Sequence, residues 1–140
     1  MCASQTRIPT RQAAAHHYSI LIVDDSALVR RATCELFTRE AEFEICAEAS
    51  NGREAIEKAQ QFRPDLIVLD LSMPVMNGLD AARELKGLMP FVPLILYSAF
   101  ANPLLEQQAR HAGVSAFISK SQAPATLVST ARALLTQKAA

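Results

Sequence analysis

Residues 66–74 read Leu66-Ile67-Val68-Leu69-Asp70-Leu71-Ser72-Met73-Pro74. Four apolar residues in a row, ending on a carboxylate and followed by a proline, form the pattern of a short strand buried on both faces. The design recurs along the chain. Ile20-Leu21-Ile22-Val23 runs into Asp24 and Asp25, Leu94-Ile95-Leu96-Tyr97 runs into Ser98, and Ala116-Phe117-Ile118-Ser119 runs into Lys120. With one further apolar run ending at Ala49, five strands are expected, over residues 19–24, 44–49, 66–70, 94–98 and 116–119.

The segments between them have helical period. Helices are expected over 27–39, 53–62, 79–87, 103–112 and 124–137. In the first, Leu28, Ala32 and Leu36 recur every four residues and are expected to face the core, with Arg30, Arg31 and Glu35 facing water. Ser26 is placed to cap it. Asn51-Gly52 precedes the second helix, whose Ala55 and Ala59 allow close packing on a sheet, and Pro64 stops it. Gly87 and Gly113 are read as left-handed C-caps, and Pro124 suits a first helical turn. Five strands alternating with five helices give an α/β class, a doubly wound parallel sheet in a single domain.

Composition sets bounds on function. The 140 residues suffice for one domain and its core. Lys plus Arg and Asp plus Glu each number 14, so no global positive field draws the chain to nucleic acid or an anionic membrane. No apolar run approaches the roughly 20 residues of a membrane span. Residues 1–17 lack the apolar stretch of a secretory signal and are expected to be a flexible tail ahead of a domain over 18–140, with a cytoplasmic location. Cys2, Cys34 and Cys46 are odd in number, lack metal-ligand spacing and suit a reducing compartment as free thiols, the latter two in or near the core.

The residues that break the apolar pattern all fall at strand ends: Asp24, Asp25, Asp70, Ser98 and Lys120. In a parallel sheet these ends share one edge, where ligands of open α/β sheets bind. Two carboxylates about 4 Å apart repel by about 4 kcal/mol at an effective dielectric near 20, so three on one rim require a retained proton or a cation. Carboxylate oxygens with room for water and phosphate suit Mg2+. Lys120 adds a positive charge able to pair with Asp70 and then with a phosphoryl oxygen. A carboxylate nucleophile, a metal, a lysine and the Ser98 hydroxyl are the parts of a phosphoryl-transfer site whose product is an acyl phosphate on Asp70. Singly, each residue is more often a helix cap, a loop hydroxyl or a solvated charge; five suitable types on one edge carry the functional reading.

Ile20-Leu21-Ile22-Val23-Asp24-Asp25, the stretch 66–74, Asn77-Gly78, Leu96-Tyr97-Ser98-Ala99 and Phe117-Ile118-Ser119-Lys120 resemble the receiver domains of two-component response regulators, over nearly all of residues 18–136. The likeness is greatest to receivers of the NarL/FixJ, LuxR-type group. It implies a flavodoxin-like strand order 2-1-3-4-5, which sets Asp24, Asp25 and Asp70 together. It further implies that Asp24, Asp25, Asp70 and the Ser72 backbone carbonyl hold Mg2+, that Asp70 accepts the phosphoryl group, and that Ser98 and Lys120 bind its oxygens. Ser98 and Phe117 would act as the switch, altering a partner face made of the fourth helix, fifth strand and fifth helix. The implied partners are a sensor histidine kinase or phosphotransfer protein and an output protein or effector domain, with a phosphorylation-dependent dimer among the assemblies allowed. No direct nucleic-acid or membrane contact is implied.

Departures from the pattern are Ser121 after Lys120, where many receivers carry proline, and Ser72 and Phe100, at positions that in the family tune acyl-phosphate lifetime. For Phe117 the plain alternative is a core aromatic. For the whole chain the alternative is a receiver-like interaction module that acts without phosphorylation. A small nucleotide-binding enzyme is weakly supported, since neither a P-loop nor a GxGxxG element follows the first strand.

Overall fold

The computed structural model describes residues 17–139. Cys2 and the tail expected over 1–17, His17 apart, lie outside them. The elements alternate as expected: β1 (Tyr18–Val23), α1 (Ala27–Thr38), β2 (Phe43–Ala49), α2 (Gly52–Phe62), β3 (Leu66–Leu69), α3 (Gly78–Leu88), β4 (Leu94–Ser98), α4 (Pro103–His111), β5 (Ala116–Ser119) and α5 (Pro124–Ala139). All four strand pairings are parallel, in the order β2-β1-β3-β4-β5. The sheet is the doubly wound, flavodoxin-like 2-1-3-4-5 arrangement. β1 and β3 end one residue earlier than expected, so Asp24 and Asp70 stand just past the ladder, free to turn toward a ligand.

Alternate strand residues feed two cores. Leu21, Val23, Ile67, Leu69, Leu94 and Leu96 pack under α2, α3 and α4, where Ala55, Ala59, Ala81 and Ala82 are fully buried. Ile20, Ile22, Leu66, Val68 and Ile95 face the other way, onto Phe37 of α1 and Leu127, Val128, Ala131 and Leu135 of α5. Each fully buried aliphatic side chain contributes about 1.5–3 kcal/mol relative to exposure. Between β1 and β2 the register shifts after Ile20, leaving Cys46 as the extra residue, and its Sγ lies 3.6 Å from the Ile20 carbonyl. Cys34 and Cys46 are both half-buried free thiols beside the core, and burial pushes the Cys34 thiol up to about 11.

Two helix expectations are corrected. In α1 the buried residues are Thr33 and Phe37, while Leu28 is 80% exposed and Ala32 is exposed. The helix carries two adjacent apolar stripes, and the one with the aromatic ring turns inward because it buries more surface; the Thr33 hydroxyl is satisfied by the Val29 carbonyl at 2.9 Å. Gly87 lies within α3, which continues to Leu88 with Met89 as C-cap; Gly113 has φ +94° and follows α4 as expected. The left-handed cap missed in the sequence is Arg63, φ 49°, which ends α2 before Pro64. Ser26, Asn51, Asn77 and Asn102 each cap a helix N-terminus through a side-chain oxygen. The described residues contain no cis peptide bond, so Lys120-Ser121 is trans.

Candidate functional site

The carboxyl edge of the sheet gathers Asp24, Asp25 and Asp70, with one oxygen from each within 4.8 Å of the others. Asp24 and Asp70 are buried and Asp25 is exposed. β1 and β3 are hydrogen-bonded neighbours, and the Asp70 amide continues their ladder to the Val23 carbonyl at 2.9 Å. The three acids therefore meet because two apolar strands end in register. Local bonds aim them: the Ser26 amide donates to Asp24 Oδ1 at 2.9 Å, and the Leu71 amide to Asp70 Oδ1 at 2.9 Å.

Lys120 crosses from the end of β5 into this cluster. Its Nζ lies 2.7 Å from Asp24 Oδ2 and 3.3 Å from Asp70 Oδ1, so the pairing expected with Asp70 exists and a shorter one with Asp24 accompanies it. The Lys120 amide donates to the Ser98 carbonyl at 2.7 Å, which ties the lysine to β4. Three carboxylates against one ammonium leave an excess of two negative charges, the amount a divalent cation neutralises.

The titration behaviour follows from this crowding. Burial pushes the Asp70 carboxyl above its ordinary range, and repulsion from Asp24 adds to it against the pull of Lys120. For Lys120, burial works against the charge, yet its bond to Asp24 and the attraction of both buried acids hold the ammonium above the usual lysine range. Ser98 is buried, and its Oγ accepts the Phe100 amide at 3.0 Å, so its hydroxyl is engaged in the turn after β4. Ser72 is exposed in the loop after Asp70, in a groove also lined by Leu71, Asn77 and Phe100. Phe117 is half-buried against the α4 side of the core and lines a hollow with Glu106, Ala109 and Arg110.

Two neighbours of the site were not singled out from sequence. Arg30, expected to face water, is half-buried; it donates to the Asp24 carbonyl at 2.8 Å and pairs with Glu48 at 3.0 Å. Tyr97 presents its ring to Lys120, with Nζ 5.7 Å from the centroid. Its place one residue before Ser98, on the opposite strand face, was the available signal.

A family model described as the response regulator receiver domain matches residues 20–132. The chain belongs to this family. Among relatives, the receiver is 38% identical over 109 residues to the chemotaxis protein CheY of Thermotoga maritima, covering 78% of this chain and 90% of CheY. Among solved structures, it is similar to a LuxR-family two-component response regulator from Aurantimonas sp., with TM-score 0.84, 28% identity and 86% of each chain covered. It is also similar to the CheX-CheY-BeF3-Mg complex from Borrelia burgdorferi, with TM-score 0.79, 26% identity and coverage of 84% of this chain and 88% of that one. The receiver spans 22% of the length of the protein-glutamate methylesterases that it matches. Receiver domains are signalling domains that bind Mg2+ at an acidic cluster of the kind formed here by Asp24, Asp25 and Asp70. No helix among the described residues is long and apolar enough to cross a membrane.

Proposed function

We infer that this receiver is a phosphorylation switch whose acceptor is Asp70. The observation that carries this is the buried pair Asp24 and Asp70 bridged by a single ammonium, with Asp25 alongside and a net excess of negative charge. Buried acids of one sign are retained at a cost unless a ligand compensates them, and such clusters mark functional sites. Asp24, Asp25, Asp70 and the Ser72 carbonyl would hold Mg2+, whose bound form neutralises charge on transferring phosphoryl oxygens.

The residues divide the remaining work. An Asp70 carboxylate oxygen forms the bond to phosphorus as the bond between phosphorus and the donor's imidazole nitrogen breaks, and the released imidazole takes up a proton. The donor is a sensor histidine kinase or phosphotransfer protein. Lys120, already within reach of Asp70, turns toward the new phosphoryl oxygens. The Ser98 hydroxyl leaves the Phe100 amide and donates to the phosphoryl group, and Phe117 moves in its hollow beside α4. The surface of α4, β5 and α5 then changes for an output protein, an effector domain or a second copy of the chain. These assignments rest on positions matching the family pattern and on the geometry above. The balanced charge favours protein partners over nucleic acid, and a cytoplasmic site of action fits a family of kinase-driven signalling domains.

Beryllofluoride titration with and without Mg2+, followed by amide NMR, tests the switch. Shifts are expected at Ser98 and Phe117 only when both additives are present. Their absence would identify an interaction module that acts without phosphorylation.

A further inference from the structure

The loop from 71 to 77 leaves Asp70 and carries Ser72, so its position sets what the acceptor and any cation meet. It folds on itself through Met76 N–H to the Pro74 carbonyl at 2.6 Å and Gly78 N–H to the Leu71 carbonyl at 2.8 Å. Val75, β-branched and exposed, sits at φ 68°, a region such residues rarely occupy. A conformation of this kind persists only where the surroundings enforce it. Among the described residues, a backbone hydrogen bond reaches the loop apex from outside: the Gly52 N–H, at the first residue of α2, donates to the Met76 carbonyl at 3.0 Å.

Gly52 is buried, and it lacks a side chain for a reason of space. A Cβ there would lie 2.5 Å from the Met76 carbonyl oxygen, 2.8 Å from Met76 Cγ and 2.9 Å from Met76 Cβ. The first of these atoms is backbone, so a methyl group can be admitted only by moving the loop. We propose that Gly52 is a positioning residue for the receiver site: by accepting Met76 at close range and donating to its carbonyl, it clamps the strained 71–77 loop so that Ser72 and Asp70 face a cation together. The clamp places the α2 N-terminus, an element with no residue in the acidic cluster, in control of metal affinity. The inference rests on the proposed Mg2+ site.

Calorimetric Mg2+ titration of the whole chain, unmodified and as Gly52→Ala, tests it. Gly87→Ala is the control, because a Cβ at Gly87 meets nothing within 4 Å. Gly52→Ala is expected to weaken Mg2+ binding by about tenfold or more, the size typical of losing a residue that orients metal ligands. Acetyl phosphate labelling should fall at low Mg2+ and return to the unmodified rate at saturating Mg2+. Gly87→Ala should leave both unchanged. Equal Mg2+ affinity in Gly52→Ala and the unmodified chain overturns the clamp while leaving the site intact. Absence of Mg2+ binding by the unmodified chain overturns the site, and the clamp with it. If Gly52→Ala fails to fold, the unmodified chain still decides: exchange of the Gly52 amide should slow about threefold or more when Mg2+ is bound, and unchanged exchange overturns the proposal.

Discussion

In the acidic cluster it is the Asp70 carboxylate whose charged form is disfavoured, while Lys120 is held charged by its acid partners. Asp70 is raised by burial and by Asp24, so the folded chain binds a proton there more tightly than the unfolded chain does. Stability therefore falls as pH rises from the unfolded value of 3.8 through the raised folded value, and the penalty is complete above the latter. Asp70→Asn should melt higher than the unmodified chain at pH 7 without Mg2+, with the gain shrinking toward pH 4; thermal melts across that range check the sign. Lys120 sits nearer to Asp24 than to Asp70, so it occupies the cluster as an internal counter-ion. Lys120→Ala should keep Mg2+ affinity at or above the unmodified value in calorimetry, yet lose the beryllofluoride shift at Phe117. A loss of Mg2+ binding would show instead that the lysine supports the metal site directly.

At the scale of elements, α1 tests the packing. Phe37 is fully buried in the sheet-facing stripe, and Phe37→Ala should cost about 3–5 kcal/mol in urea melts. Leu28, on the exposed stripe, should change stability by no more than about 0.5 kcal/mol when cut to alanine. These two residues also show where legibility in the sequence ended. The strands and the placing of Asp24, Asp25, Asp70, Ser98 and Lys120 at their ends were readable, because uninterrupted apolar runs mark buried strands with little ambiguity. Which α1 stripe turned inward was not, since Leu28, Ala32, Leu36 and Val29, Thr33, Phe37 both recur every four residues. Arg63 carried no signal for a left-handed cap beyond the proline after it, and Gly87 carried a false one. Gly52 was visible only as a turn residue; its clash-free approach to Met76 depends on two loops distant in sequence. The shorter bond of Lys120 to Asp24 likewise depends on side-chain reach across the edge, which strand order alone leaves open.

For the whole molecule, the site is a product of topology. β1 and β3 bring the acids together, β5 sends Lys120 across a separation of 96 residues to Asp24, and the Lys120 amide binds Ser98 at the end of β4. The Lys120 amide bond to Ser98 thus joins the ends of β4 and β5 beside the acids, and Phe117 of β5 packs on the α4 side of the core. Opposite this edge, Arg132 of α5 pairs with Glu42 at 2.6 Å and Glu40 at 3.0 Å, fastening the last helix to the turn before β2. The proposed loading of Asp70 is decided by intact-mass spectrometry after incubation with acetyl phosphate and Mg2+. One added phosphoryl group is expected, lost in Asp70→Asn and absent when Mg2+ is chelated; equal labelling of Asp70→Asn would rule Asp70 out as the acceptor.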